Sequence, residues 1–290
     1  MTVGEDLQEL LKLHELEPLE VDLYRGESRS IGSPQVFGGQ VLSQALLAAM
    51  RTVTGRTVHS LHAYFLRRGD FNAPIVYQVE RSRDGGSFSS RRVSAIQHGE
   101  QILTMSASFQ ALQPGFAHQA SMPEVPPPES LEDQETFVRR VVTDLSPQLE
   151  LFLQRVRPWR FRPVELRHPR VFEPRPPRRR VWFRLDGDLP DDETLHRALL
   201  TYVSDYNLLD VATMPHGRTH LDITMASIDH ALWFHQPLRV NDWLLYDIES
   251  PSACGARGFC RASIFTRDGR LVASAAQEGL MRPRPPEQRG

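Results

Sequence analysis

Apolar and polar residues alternate along two long stretches of the chain, and both stretches show the same order of features. Residues 64–109 and 233–279 each begin with an aromatic pair and reach a strand that ends in Glu. A glycine-containing break, a further strand, a His-Gly or Asp-Gly turn and a last strand follow, and a shift of 169 positions places Tyr77 on Tyr246. Alternation with a period of two indicates strands with one buried face. The repetition predicts a duplicated β meander, with chance similarity between two meanders as the alternative.

One apolar segment with helical periodicity precedes each meander. Residues 38–50, GGQVLSQALLAAM, start at a Gly pair and space their apolar residues as one face of a helix does. Before the second meander, Asp191 or Asp192 can cap a helix that continues through residues 193–209, ETLHRALLTYVSDYNLL. Antiparallel strands with one long helix per unit predict an α+β fold in which each sheet wraps around its helix.

A proline-rich connection separates the two units. Residues 112–180 hold 12 of the 22 prolines, and apolar residues at helical intervals predict a helical piece within it, over about 130–156 and interrupted near Pro147. The periodic residues of that piece are Phe137, Val141, Leu145, Leu149 and Phe152.

The connection sets the predicted domain boundaries. Residues 1–111 form the first domain, 112–158 the connection and 159–290 the second domain. The basic run at 175–180, RPPRRR, is interpreted either as a phosphate-binding segment or as a solvated linker.

Two stretches predict β-hairpins. Residues 227–250 contain two apolar runs around a short polar break, which is typical of a strand pair. Arg-Asp-Gly-Arg at 267–270 lies between two alternating runs and supplies the residues that a tight turn requires.

Composition and charge narrow the function classes. The chain has 290 residues and a formal net charge of −2, which argues against a general nucleic-acid binder. No apolar run reaches the roughly 18 residues of a membrane span, and the acidic amino terminus does not resemble a signal peptide. The two cysteines, Cys254 and Cys260, suggest neither a disulfide framework nor a metal site. We therefore expect a cytoplasmic protein that acts as a homo-oligomer, without nucleic-acid or membrane partners.

Two polar residues stand out because the pattern places them in the core. Asp205 lies on the apolar stripe of the second helix, three residues after Tyr202 and four before Leu209. A buried carboxylate needs hydrogen bonds or a charge partner, so Asp205 is either a site residue or a structural Asp near the helix end. Gln277 shares one face of the last strand with Ala273 and Ala275, but the alternation is weak because both faces contain Ala. If this face is the inner one, the amide points at the helix, where structural amides are also common.

Other motifs carry weaker signals. Four histidines, at positions 216, 220, 230 and 235, lie within twenty residues, but Pro215 and Gly217 make the first pair a loop rather than a helical zinc pair. His59 and His62 are a fallback for a general base. The loop around the first histidine pair argues against a metal, and the absence of a Gly-rich nucleotide motif from the sequence argues against a nucleotide cofactor. We therefore expect neither a metal nor another cofactor. Ser227 lies in no G-x-S-x-G elbow, which excludes the α/β-hydrolase motif.

Six segments together resemble the acyl-CoA thioesterase II family, whose members are two fused hotdog domains. These segments keep the order and spacing of that family from about residue 19 to 282: VFGGQVLSQALLAA (36–49), HSLHAYFLRRGD (59–70), SDYNLL (204–209), SIDHALWFH (227–235), ESPSACGARGF (249–259) and DGRLVASAAQEGLMR (268–282). The resemblance implies an acyl-CoA substrate and a catalytic set that falls on Asp205, Ser227 and Gln277. Ser227 stands where some members have Thr, and either hydroxyl can donate and accept a hydrogen bond.

The resemblance also implies a mechanism. Asp205 would act as general base on a water that Gln277 and Ser227 position, with no acyl-enzyme, and Asp229 and His230 would serve orientation and packing. The Gly38-Gly39 helix start is a candidate for the oxyanion donors. The alternatives are a non-catalytic acyl-CoA-binding protein and a hotdog hydratase or dehydratase. At offsets of 169 and 170, Ser227 falls on Val58 and Gln277 on Ala107, which predicts one competent site per chain.

Overall fold

The structure is a computed structural model. It describes residues 3–33, 35–145, 158–169, 173–217 and 223–284, with the single positions 147, 150, 153 and 171.

The first half is a strand-rich unit around one apolar helix. Its elements are α1 (Val3–Lys12), β1 (Glu17–Glu20), β2 (Leu23–Gly26), α2 (Gly38–Met50), β3 (Thr57–Phe65), β4 (Ile75–Asp84), β5 (Phe88–Gln97) and β6 (Glu100–Gln110). Helix α2 has the predicted bounds. All its residues from Gly39 to Ala49 are buried, because β2 to β6 pack against it.

The second half repeats this plan after the connection. Its elements are a 3-10 turn (Pro128–Ser130), α3 (Gln134–Val141), β7 (Trp159–Pro163), β8 (Arg178–Leu185), α4 (Glu193–Ser204), a 3-10 helix (Leu209–His216), β9 (Ile223–Ser227), β10 (Asp229–Phe234), β11 (Leu244–Cys254), β12 (Arg257–Thr266) and β13 (Leu271–Pro283). The Asp192 side chain caps α4 by accepting from the Thr194 and Leu195 N–H groups, as one of the two predicted caps.

The strand order confirms the duplicated α+β architecture. The described strands form one sheet in the order β1-β2-β4-β5-β6-β3-β10-β13-β12-β11-β8-β7, with β9 beside β13. The order β4-β5-β6-β3 of the first half returns in reverse as β10-β13-β12-β11. The halves meet where β3 pairs with β10, with His62 opposite Ala231. These two positions differ by the repeat offset of 169, so the seam has an approximate twofold symmetry.

One of the two predicted hairpins is confirmed and the other is wrong. Strands β12 and β13 pair through the turn at 267–270. The stretch 227–250 is not a hairpin, because β10 pairs with β3 and β13, whereas β11 pairs with β8 and β12. The strand at the centre of the molecule is thus bonded to partners that are distant in sequence.

The connection agrees with its prediction in part. Helix α3 ends at Val141, before the interruption expected near Pro147, and the described positions 147, 150 and 153 are again helical; Leu149 and Phe152 lie outside the described residues. The run at 175–180 is neither a linker nor an open anion site, because β8 begins within it. Arg178 pairs with Asp247 at 2.7 Å, and Arg180 pairs with Glu165.

Candidate active site

Asp205 lies at the end of α4 rather than within the helix. The sequence pattern predicted a helix to residue 209, but α4 stops at Ser204 and Asp205 is its C-terminal cap, with φ −81° and ψ −12°. Its side chain is 7% exposed. Because the helix ends here, the carboxylate leaves the core stripe and faces the start of α2.

The Gly pair at the start of α2 brings the two helices into contact. The Gly39 N–H donates to Asp205 Oδ2 at 3.0 Å, so one of the free donors of the helix start binds the carboxylate. A Cβ at Gly39 would lie 2.1 Å from the Tyr202 carbonyl oxygen, and one at Gly38 would lie 2.7 Å from Asp205 Oδ2. Position 39 therefore requires glycine, because a backbone carbonyl blocks any side chain, whereas a side chain at position 38 would displace the Asp205 carboxylate. Of the N–H groups predicted as oxyanion donors at this helix start, that of Gly39 already binds the carboxylate.

Gln277 joins Asp205 to Ser227. It is 1% exposed on the inner face of β13, as the alternation predicted. Its Nε2 donates to Asp205 Oδ1 at 2.8 Å and to Ser227 Oγ at 2.7 Å. A carboxylate only accepts hydrogen bonds, so the amide must turn its NH₂ toward Asp205. Its buried Oε1 has no hydrogen-bond partner among the described residues and is available as an acceptor.

Ser227 completes the group at the end of β9, opposite Gly279 of β13. Its Oγ accepts from Gln277, which leaves the hydroxyl hydrogen for a further acceptor. The side chain is partly exposed and lines a cavity, so that acceptor can be a bound molecule. The structure thus brings together all three residues that the sequence singled out.

His230 lies behind Asp205, where it is fully buried. The Ser204 hydroxyl donates to the Thr201 carbonyl at 2.9 Å, so its oxygen accepts from His230 Nε2 at 3.0 Å. His230 Nδ1 lies 4.0 Å from Asp205 Oδ1 and has no hydrogen bond to a described residue. Burial lowers the pKa of His230, against a smaller opposing effect of Asp205. The neutral imidazole therefore packs against the carboxylate without bonding to it.

Asp229 supports the neighbouring backbone, in keeping with its expected role. Its Oδ1 accepts from the Glu278 N–H at 2.6 Å and so ties β10 to the strand that carries Gln277. The fallback base His59 lies elsewhere, with its Nε2 2.8 Å from Ser108 Oγ.

Cavities open on both sides of the Asp205 carboxylate. One of about 230 Å³ is lined by Ser227, Gly38, Arg67 and Arg68, and another of about 200 Å³ continues from it to Asp205. A larger, mainly apolar cavity of about 420 Å³ reaches Asp205 from the side of α3. The carboxylate thus lies between a mouth lined by Arg67 and Arg68 and a mainly apolar pocket, in which Asp210 pairs with Arg167 and Arg179.

Two observations bear on the expected absences. No three His, Cys, Asp or Glu side chains among the described residues are grouped closely enough to hold a metal ion, and His220 lies outside those residues. Within the same part of the chain, no helix is long and apolar enough to cross a membrane.

Comparison with known proteins gives the fold and the family. A hot dog fold protein from Alicyclobacillus acidocaldarius superposes with a TM-score of 0.77 at 19% identity, covering 94% of this chain and 98% of that chain. An acyl-CoA thioesterase II from Mycobacterium marinum superposes with a TM-score of 0.77 at 41% identity, covering 96% and 98%. The chain is thus an α+β protein of two fused hotdog units, as expected.

The sequence comparisons agree along nearly the whole chain. The family described as acyl-CoA thioesterase matches residues 158–280, and the acyl-CoA thioesterase N-terminal domain matches residues 25–110. Acyl-CoA thioesterase 2 of Haemophilus influenzae is 41% identical over 95% of this chain and 98% of that protein. The chain belongs to the acyl-CoA thioesterase family, and it is a thioester hydrolase of lipid metabolism that acts on acyl-CoA.

Proposed function

We propose that Asp205, Gln277 and Ser227 hydrolyse the acyl-CoA thioester by direct attack of water. The observation that carries the proposal is the Gln277 amide, which donates at once to Asp205 Oδ1 and Ser227 Oγ. This amide fixes a base and a hydroxyl beside the same cavity. Gln277 Oε1 is buried without a described partner, and in this proposal it accepts a hydrogen bond from the attacking water.

The reaction proceeds in two steps. The water oxygen attacks the thioester carbonyl carbon while Asp205 takes the water proton, which gives a tetrahedral oxyanion. The oxyanion then collapses, the carbon–sulfur bond breaks and the CoA thiolate takes the proton from Asp205. General base assistance of this kind contributes roughly 10²–10⁴ in rate. Since a thiolate leaves readily, three side chains suffice.

The oxyanion requires donors that Asp205 does not already use. Gly38 N–H and the Ser227 hydroxyl line the cavity and meet this condition, whereas Gly39 N–H binds the carboxylate. We assign the oxyanion to these two donors, which also lie at the positive end of the α2 dipole.

A hydratase or dehydratase is less compatible with this site. Such an enzyme would need a His–Asp or His–Glu pair at the helix. The His230 imidazole beside Asp205 is fully buried and its Nδ1 makes no hydrogen bond to the carboxylate.

The described residues of the first half offer no second catalytic site. Gln277 pairs with Cys260 across β13 and β12, and the corresponding pair across β6 and β5 is Ala107 with Arg91. The buried Arg91 donates to Thr52 Oγ1 at 2.7 Å and to Asp84 Oδ1 at 2.9 Å. An arginine and an alanine thus replace the amide, and α2 contains no carboxylate.

We infer one catalytic centre per chain, within the division 1–111, 112–158 and 159–290. The division is supported by the strand sets on either side of the connection. Titration with a tight, non-hydrolysable acyl-CoA analogue should give one competent site per chain, and two equivalent sites would contradict this. Limited proteolysis should cleave first in the exposed stretch 112–121 of the connection.

Metal independence, location and assembly complete the proposal. CoA release should persist in EDTA, and loss of activity that a divalent metal restores would contradict a metal-free site. We place the enzyme in the cytoplasm, in keeping with the unpaired Cys254 and Cys260, and cell fractionation tests this.

A homo-oligomer is proposed because Leu112 and Phe116 are fully exposed apolar side chains. Analytical ultracentrifugation of the purified chain should show a species larger than the monomer.

A further inference from the structure

The apolar cavity beside Asp205 has one wall from outside the two hotdog units. Helix α3, which belongs to the connection, contributes Phe137 and Val138, and Leu166, Ile31, Phe37 and Met225 face them. The cavity has a volume of about 420 Å³ and Asp205 also lines it. A chain that enters from Asp205 therefore runs toward α3.

Helix α3 is held firmly enough to act as a wall. Asp133 caps it by accepting from the Glu135 N–H, and Arg179 Nη2 donates to Gln134 Oε1 at 2.9 Å. The segment before it is also fastened, since Trp182 Nε1 donates to the Pro126 carbonyl at 3.0 Å. Arg140 lies over the Phe137 ring at 5.3 Å and fixes the position of the ring.

The mouth on the other side of Asp205 differs in chemistry. Arg67 and Arg68 line it and are exposed, and Arg68 makes no hydrogen bond or ion pair with any described residue. The α3 cavity is also lined by two arginines, Arg167 and Arg179, but Asp210 pairs with both, at 3.5 and 3.7 Å. Guanidinium groups that no carboxylate of their own cavity neutralises suit the phosphates of CoA, whereas a mainly apolar pocket suits an alkyl chain. An acyl-CoA thus fits the two cavities in one orientation, with its phosphates at Arg67 and Arg68 and its acyl chain in the cavity beside α3.

We propose that the acyl chain occupies the cavity walled by α3, and that Phe137 sets the longest chain the enzyme accepts. This rests on the proposed role of Asp205, because the thioester carbonyl must lie there. The connection between the domains is then a specificity element rather than a linker.

The test changes the wall without touching the catalytic residues. Phe137 is only half-buried, so Phe137→Ala lengthens the pocket and Phe137→Trp shortens it at little risk to the fold. Leu166→Phe narrows the opposite wall, in case Phe137→Trp folds poorly. Val142→Ala is the matched control, since Val142 packs in the same cluster as Val138 but does not line the cavity.

The measurement is kcat/KM for butanoyl-, octanoyl-, dodecanoyl- and hexadecanoyl-CoA. Phe137→Trp and Leu166→Phe should each lower the ratio of kcat/KM for the longest accepted chain to kcat/KM for the shortest. The expected decrease is about tenfold or more, because the pocket loses room for a methylene group. Phe137→Ala should raise that ratio, and Val142→Ala should leave it unchanged.

Failure of the proposed function and failure of this inference give different results. A wild-type enzyme that releases no CoA from any of the four would overturn the proposed function itself. An active wild type whose chain-length profile is the same in Phe137→Trp, Phe137→Ala and Leu166→Phe would overturn this inference alone. So would a profile that responds instead to Ile102→Phe, on the arginine side of the site.

Discussion

Replacing Asp205 with Asn removes the proposed base and keeps the shape of the side chain. A neutral amide cannot take a proton from water, so we expect kcat to fall by about 10²–10⁴, or about 3–5 kcal/mol of transition-state stabilisation. The carboxylate accepts from Gly39 N–H and Gln277 Nε2 on different oxygens, at 3.0 and 2.8 Å. Asn has one acceptor oxygen, so one donor loses its partner, at a cost of about 1–3 kcal/mol. Removing a buried charge offsets part of that cost, and the variant should remain folded.

The assay combines thiol detection of released CoA with urea unfolding of the same preparation. Asp247→Asn is the matched control, because Asp247 is mostly buried and pairs with Arg178 at 2.7 Å but lines none of the three cavities. It makes the same chemical change without touching Gln277, so its kcat should stay close to that of the wild type. A folded Asp205→Asn enzyme with most of its kcat, or equal losses in both variants, would refute the reasoning.

Three further predictions concern Gly38, Ser227 and His14. Gly38→Ala should lower kcat by about 10²-fold with a small change in stability, because its Cβ would meet Asp205 Oδ2 at 2.7 Å and displace the base; unchanged kinetics would contradict this placement. Ser227→Ala should cost less kcat than Asp205→Asn, since positioning is more replaceable than the base, and the reverse order in the measured rates would point to covalent catalysis. Burial lowers the pKa of His14 from 6.5 to about 4, so the unfolded chain binds a proton that the fold excludes. Stability should therefore be full above pH 6.5 and fall by about 2 kcal/mol by pH 5. Urea unfolding of His14→Gln should lack that loss, and an equal pH dependence in the variant would contradict this origin.

The sequence predicted those parts of the site that local periodicity encodes. Alternation in the last strand was weak, because both faces contain Ala, but it put Gln277 on the face with Ala273 and Ala275, which is the inner face, where Gln277 is 1% exposed. Helical spacing marked Asp205 as a polar residue among core positions, although the helix ends just before it. Ser227 carried no periodic signal, and only the family resemblance identified it.

What the sequence could not predict depends on partners distant along the chain. The wrong hairpin at 227–250 arose because two adjacent apolar runs give no sign that β10 bonds to β3 and β13. The hydrogen bond from Gly39 to Asp205 spans the seam between the halves, and no local pattern indicates it. Arg91 and Ala107 occupy the positions in the first half that correspond to Cys260 and Gln277. This role of Arg91 is likewise visible only once the register of the strands is known. Long-range pairing and close helix contact are tertiary properties, so local patterns did not contain them.

Direct attack by water is the central claim, and a single turnover in H₂¹⁸O with enzyme in excess over acyl-CoA tests it most directly. The account predicts one ¹⁸O in the released fatty acid and none in the peptide that contains Asp205, with no acyl group on Ser227 when the reaction is quenched early. Mass spectrometry of the acid and of the digested enzyme gives all three results. An unlabelled acid, ¹⁸O in Asp205 or an acylated Ser227 would show a covalent intermediate and contradict the mechanism.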